Sequence, residues 1–271
     1  MAQIPLPVFK TISLDLQGAV ARIMLNRPDN ANGMSMELIQ EFAAAANWCQ
    51  EAANEQRIRA VVISGEGKIF CAGGDIHSFR AFGDDISDEI ARLAGHLHDA
   101  ISLFVRMNVP VITAVNGAAA GAGFSLAMIG DIVIAGHSAS FMMAYTAIGL
   151  SPDGAATYTL PRLVGRRRAN ELILLNRRLS AEEALQWGLI TRLVADEQLM
   201  DEAMALAKRM AQGPTKAFGT VKFLLNQSDD NSPEQQMVLE ARHLSQLSAS
   251  ADGQEGIRSF LEKRKPVFSG K

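Results

Sequence analysis

The chain has 271 residues, 48% of them apolar and 20% charged, an ordinary globular profile that allows one large domain or two modest ones. Its 26 basic and 29 acidic residues leave a formal net charge of −3, so the basic excess expected of a nucleic-acid surface is missing. The two cysteines, Cys49 and Cys71, follow no CxxC or zinc spacing and read as free thiols of a reducing, cytoplasmic setting; no stretch reaches the ~20 apolar residues of a membrane span.

The opening MAQIPLPVFKT lacks the basic start and unbroken apolar core of a secretory signal. Residues 8–16 and 19–25 read as two short strands around Gly18, a hairpin. The loop RPDNANGMS follows, Ser35 is placed as a helix N-cap, and apolar residues at helical spacing predict a helix from Met36 to about Glu55. RAVVISG (59–65) is a compact β-branched run, a buried strand by length and composition. Helical periodicity returns over 86–106, VPVITAVNG (109–117) is a strand running into a turn, AAAGAGFSLAMIG reads as a helix entered through small residues, and DIVIAG (131–136) is again a strand. Strands alternating with helices predict an α/β core with parallel connections.

Beyond Gly165 the strand signal nearly vanishes. RRRANELILLNRRLSAEEALQWGLI gives a helix and then a short helix capped by Ser180, and helical patterns cover 197–213, 214–226, 233–249 and 252–263. The expected organisation is an α/β core over 1–200 and a helical region over 201–271. The C-terminal helices are too few for a core of their own and suit contacts between copies of the chain.

Two glycine-rich turns stand out, FCAGGDI (70–76) and NGAAAGAGFSLA (116–127), each after a buried strand. Helix starts expose unpaired N–H groups, and small residues let a ligand approach the backbone. Two such turns facing each other would present two N–H donors to one oxygen, an oxyanion hole; the alternative is that the glycines only allow tight helix–strand packing. Neither turn fits a nucleotide fingerprint: GAGFSL lacks the third glycine of GxGxxG, and SGEGKIF lacks the spacing and the Ser/Thr of a P-loop. A third feature is IGLSPDG, with Asp153 between proline and glycine. Pro-Asp-Gly bends a chain well, and a turn of this kind can equally aim a carboxylate into a pocket. His96 and His98 lie two apart on a predicted helix and face different directions, which argues against metal ligation. His77 is expected in an exposed loop and Cys71 as a small packed residue. The arginines at 166–168 are expected on the surface.

The segments ARIMLNRPD, FCAGGDI, PVITAVNGAAAGAGFSLAMIGDIVIA, GLSPDGAATYTLPRLVG, LSAEEALQWGLITRLV and FLEKRKPVF follow in this order along essentially the whole chain. In them the sequence resembles the enoyl-CoA hydratase/isomerase, or crotonase, superfamily. The resemblance implies an α/β spiral of ββα turns and a C-terminal helical region used in trimerisation, as trimers or hexamers. It also implies acyl-CoA thioester substrates, no metal or redox cofactor (coenzyme A being part of the substrate), and neither a nucleic-acid nor a membrane partner. By position it places the oxyanion donors on the backbone N–H of Gly74 and Ala122, with Ala72, Asp75 and Ile76 beside them in the substrate site. Arg27 and, often from a neighbouring subunit, Lys263 are implied near coenzyme A.

At the positions of the two hydratase glutamates this chain has Ser125 and Tyr145, neither a carboxylate and both poor bases at neutral pH. Asp153 falls where isomerase branches, including phenylacetate-pathway and peroxisomal-type enzymes, carry their acid. The resemblance therefore implies isomerisation through a thioester enolate, with Asp153 moving the proton and Ser125 and Tyr145 shaping the pocket. For that task Asp153 needs a pKa raised from ~3.9 by an apolar setting, for which Ile148, Leu150, Ala155 and Ala156 are the neighbours in sequence. Three alternatives stay open: a hydratase of unusual site composition, an aryl-CoA dehalogenase-like enzyme using Asp153 as nucleophile, and a non-catalytic acyl-CoA-binding subunit.

Overall fold

The computed structural model describes residues 5–271; the first four residues of the segment read for a signal lie outside them. A hairpin of β1 (Ile12–Gln17) and β2 (Val20–Leu25) opens the chain, followed by α1 (Met36–Asn54), which Ser35 caps by accepting from the Leu38 amide. Three spiral turns come next, each a strand in a large sheet, a strand in a small sheet and then helix. They run β3 (Ala60–Gly65), β4 (Ile69–Cys71), α2 (Ile76–Phe79) and α3 (Ile86–Arg106); then β5 (Val111–Val115), β6 (Ala118–Ala120) and α4 (Ala122–Ala127); then β7 (Ile132–Gly136), β8 (Ser140–Met142), α5 (Ala156–Val164) and α6 (Arg166–Leu174). The chain continues through β9 (Leu179–Ser180), α7 (Ala181–Gln186) and β10 (Arg192–Val194), and ends in α8 (Leu199–Ala211), α9 (Thr215–Ser228), α10 (Pro233–Ser248) and α11 (Ala251–Leu261).

The large sheet has the order β1-β2-β3-β5-β7-β10, parallel except at the β1–β2 hairpin, and the small sheet the order β4-β6-β8-β9, with β9 antiparallel to β8. The α/β class and the spiral of ββα turns are thus as expected. The small sheet is the correction: its strands have two or three residues, too short for a period to register, and Ala118–Ala120, expected as a helix entrance, is one of them. β10 and α5 were not expected either.

Alternation along the large sheet divides the core. Val61, Ile63, Val111 and Val115 face the spiral interior with α1, α3 and α4, while Ala60, Val62, Ile112, Ala114 and Ile134 face α8 through Ala203, Met204 and Ala207. α9 is tied on by Lys222, which is almost fully buried and binds the carbonyls of Phe104 and Val109 and the Asp131 carboxylate at 2.7 Å. α10 buries none of its residues in this chain. The tail returns to the start of β3, where Arg59 binds the Phe268 carbonyl.

Candidate active site

The two glycine turns abut. Gly73 has φ +92°, and a Cβ there would stand 2.7 Å from the Ala120 carbonyl oxygen and 3.2 Å from the Ala122 nitrogen; only glycine fits both the left-handed backbone and the gap. Around Gly74 the chain pairs with Met34 in a parallel bridge: the Met34 amide donates to the Gly73 carbonyl at 2.7 Å and the Asp75 amide to the Met34 carbonyl at 3.1 Å. In that pattern the N–H of Gly74 faces away from Met34. Among the described residues it meets no acceptor, and neither does the N–H of Ala122 at the start of α4. Two adjacent free amides fit an oxygen that gains charge. The Phe79 ring lies over Gly74, within 2.8 Å of where a Cβ would be, so an aromatic wall stands beside one donor.

Asp153 is held over the first turn of α4. Gly154, at φ +63°, packs so closely that a Cβ would lie 2.9 Å from Ser125 Cβ and 3.2 Å from Ile101 Cδ1, and the Ser125 hydroxyl donates to the Asp153 carbonyl oxygen at 2.7 Å. Ser125 is three residues beyond Ala122, about 4.5 Å along a helix axis. The Pro-Asp-Gly turn therefore both bends the chain and packs against α4, the helix that Ala122 opens. Asp153 Oδ1 accepts from the Gly154 amide at 2.6 Å and is bound by His98 Nε2. Oδ2 has no partner among the described residues. The Tyr145 hydroxyl is buried beside Ser125 and Asp153, with no hydrogen-bond partner among the described residues. Burial pushes its pKa up, so its phenolate is scarcer at neutral pH than that of a free phenol.

Ile148 and Leu150, expected to give Asp153 an apolar setting, are 56% and 42% exposed, and the side chain bonded to its carboxylate is an imidazole 55 residues away in sequence. Arg27 is engaged inside the protein, binding Asp75 at 3.0 Å and the Gly33 carbonyl. Asp75 in turn caps α2. Burial raises the Asp75 carboxyl, but the bonds from Arg27 and Ser78 and the guanidinium charge outweigh it and hold it below its ordinary value. The pair braces the loop before α1 against the first glycine turn, as does the bond from the Ala72 amide to the Ala31 carbonyl. Ala72 and Ile76 are exposed on that turn. Lys263 is exposed at the end of α11, and within this chain no bond joins it to the other site residues.

His98 and Phe79 were missed as site residues. His98 lies on the exposed flank of α3, and nothing in the sequence links it to Asp153. Cys71 is buried, which pushes its thiol up to about 12, and its sulfur contacts the Asn32 carbonyl; it is a packing residue. Of the three arginines, Arg168 lies over the Trp187 ring at 4.7 Å, and Arg166 and Arg167 are exposed. Among the described residues no group of three or more His, Cys, Asp or Glu is placed to hold a metal, and no helix is long and apolar enough to cross a membrane. A cavity of about 1200 Å³ opens elsewhere, between the ends of α1 and α3, helices α9 and α10, and the tail; neither Asp153 nor the glycine turns line it.

Comparison with known proteins gives the same frame. The family model "Enoyl-CoA hydratase/isomerase" matches residues 15–271. The chain is 38% identical to the 1,2-epoxyphenylacetyl-CoA isomerase of Escherichia coli K12, over 94% of this chain and 97% of that protein. It is 39% identical to a protein of Rhodobacter capsulatus named "Probable enoyl-CoA hydratase", over 97% and 99%. An enoyl-CoA hydratase crystal structure from Polaromonas sp. JS666 superposes with a TM-score of 0.90 at 34% identity, covering 95% of this chain and 99% of that one.

Proposed function

Because the chain belongs to the enoyl-CoA hydratase/isomerase family and has the crotonase fold, we propose that it is an acyl-CoA isomerase. It shifts a double bond, or isomerises a phenylacetyl-CoA ring epoxide, through a thioester enolate. One observation carries this reading: Asp153 is the carboxylate on the turn that packs against Ser125 of α4, the helix opened by the Ala122 amide, while Ser125 itself is a hydroxyl bonded to the Asp153 carbonyl and Tyr145 a phenol with a buried hydroxyl.

The thioester oxygen accepts from the N–H of Gly74 and Ala122. Asp153 takes the proton from the carbon next to the thioester carbonyl, and the electron pair spreads onto that oxygen and the adjoining double bond. Each donor stabilises the enolate by about 3 kcal/mol relative to a site without it. Asp153 then returns the proton to the far carbon of the shifted system, leaving the double bond conjugated with the thioester and the carboxylate regenerated. No step requires a metal or redox cofactor. Hydration would require groups that hold and activate a water, and Ser125 and Tyr145 are poorly suited to that.

The acyl-CoA-bearing assembly is proposed to be a trimer or a dimer of trimers. The apolar side chains that α10 and α11 leave outside, among them Leu244 at 72% and Phe260 at 82% exposure, support contact with other copies. Such packing would bring a neighbour's Lys263 to the coenzyme.

The test is a turnover panel. A 3-enoyl-CoA should gain ultraviolet absorbance as it becomes conjugated, or 1,2-epoxyphenylacetyl-CoA should be consumed, and Asp153→Asn should cost about 10²–10⁴-fold in kcat with acyl-CoA binding retained. Loss of absorbance from a 2-enoyl-CoA would favour the hydratase. Halide release from a halobenzoyl-CoA would favour the dehalogenase. Binding with no turnover would favour the non-catalytic subunit.

A further inference from the structure

We infer that His98 is a positioning residue, which fixes the Asp153 carboxylate so that Oδ2 alone exchanges protons with the substrate. The inference rests on the reading of Asp153 as the acid/base. Oδ1 is held twice, by the Gly154 amide at 2.6 Å and by His98 Nε2, while Oδ2 is unpartnered among the described residues. The terminal torsion of an aspartate is broad and roughly two-fold, so an unrestrained carboxylate presents either oxygen over a wide range of angles. The Gly154 amide is part of the turn itself and moves with it. His98 comes from a separate element, α3, which also grips the turn through Ile101 one turn further on. The pair thus references the carboxylate to a helix of the core and not to the loop that carries it.

The bond is made with an imidazole that is 50% exposed and an aspartate that is 29% exposed. Pairs this open to solvent add little to stability, so removing His98 leaves the fold intact and isolates its effect on orientation. In the tautomer that carries its proton on Nε2, His98 donates to Oδ1 and leaves Oδ2 free to accept.

The experiment compares wild type, His98→Ala and His98→Gln, the glutamine amide being long enough to donate in place of Nε2. Kinetics are measured on the acyl-CoA that the wild type isomerises. Crystal structures of all three are determined with a saturated acyl-CoA, which binds without reacting. His98→Ala is expected to lose about 10- to 100-fold in kcat, the scale of a small misplacement of a reacting group, with KM changed less than about threefold. His98→Gln should recover most of the rate. In the crystals Oδ2 should face the thioester in wild type and His98→Gln and turn away, or spread over two orientations, in His98→Ala. An unchanged Asp153 orientation in His98→Ala overturns the inference, as does unchanged kcat there, while the isomerase reading stands. If no thioester is isomerised but the carboxylate swings in His98→Ala, the positioning role holds and the isomerase reading fails.

Discussion

Main-chain donors cannot be deleted by removing a side chain, but here they can be displaced by adding one. Gly73→Ala places a Cβ 2.7 Å from the Ala120 carbonyl oxygen and 3.2 Å from the Ala122 nitrogen, where ordinary contacts begin at 3.4 Å. Both neighbours are backbone, so the turns must part by about half an ångström or more. The left-handed backbone at φ +92° adds about 1–2 kcal/mol for any residue with a Cβ. The expected stability loss is about 2 kcal/mol, a fall of about 4–8 °C in melting temperature for a chain of this size. The displaced amide is a proposed oxyanion donor worth about 3 kcal/mol when fully removed, so partial displacement should lower kcat about 10- to 100-fold. Initial rates at saturating acyl-CoA and urea unfolding of the same preparation separate the two effects. If stability falls as expected while kcat stays within about threefold of wild type, the turns serve packing alone and the oxyanion assignment is wrong.

The Lys222–Asp131 pair predicts a purely structural effect. Burial raises the Asp131 carboxyl and lowers the Lys222 ammonium, and their mutual attraction opposes both. Lys222→Met leaves Asp131 and two carbonyls facing an apolar group and should lower the unfolding free energy by about 3 kcal/mol, read as a shifted urea midpoint at unchanged slope. Acid should destabilise the protein through Glu41 and Asp75. Burial raises both carboxyls, but it is outweighed by bonds from Thr11 and the neighbouring amides at Glu41 and from Arg27 and Ser78 at Asp75, so both sit below their ordinary values. The unfolded chain then takes up these protons first. The stability they contribute is complete above the unfolded carboxylate range, ~4, and is lost as pH falls through the lowered folded values. Urea midpoints between pH 6 and pH 3 should decline, and Asp75→Asn should flatten part of that decline.

What the sequence made legible follows from length and from sterics. Five of the six strands of the large sheet have five or six residues, and its central ones carry β-branched runs, Val61–Ile63 and Val111–Ile112 among them; such runs mark themselves, whereas the three-residue β10 does not. The small sheet is written in three-residue pieces, one of them three alanines, a residue with little strand preference. α5 carries Pro161 in its interior, which reads as a break. The glycine turns were legible because they are sterically forced. A Cβ at Gly123 would lie 2.1 Å from the Cys71 carbonyl oxygen, and one at Gly117 2.0 Å from that of Lys68, so these positions leave no choice of residue. The His98–Asp153 contact is the opposite case. It joins a half-exposed helix flank to a loop, and neither side needs the other in order to fold. Arg27 has a role the sequence did not show: its guanidinium binds Asp75 and the Gly33 carbonyl and so ties the loop before α1 to the first glycine turn.

That contrast bears on why one fold carries relatives named for different reactions. The amides of Gly74 and Ala122 are placed by backbone packing, which tolerates no change at Gly73, Gly117 or Gly123. The side chains at the other proposed positions are held differently: the Tyr145 hydroxyl has no hydrogen-bond partner among the described residues, and the buried Ser125 makes one bond to a carbonyl. Fold alone does not name the reaction; on the proposed reading, the residues at 125, 145 and 153 decide which groups can move a proton. A single carboxylate with one free oxygen is enough to carry a proton from one carbon to another. Water addition asks for a second group to orient and activate the water, and a buried phenol with a raised pKa beside a pinned hydroxyl is a poor substitute. On the proposed reading the choice between isomerase and hydratase falls to positions 125, 145 and 153, and of these only 153 carries a carboxylate.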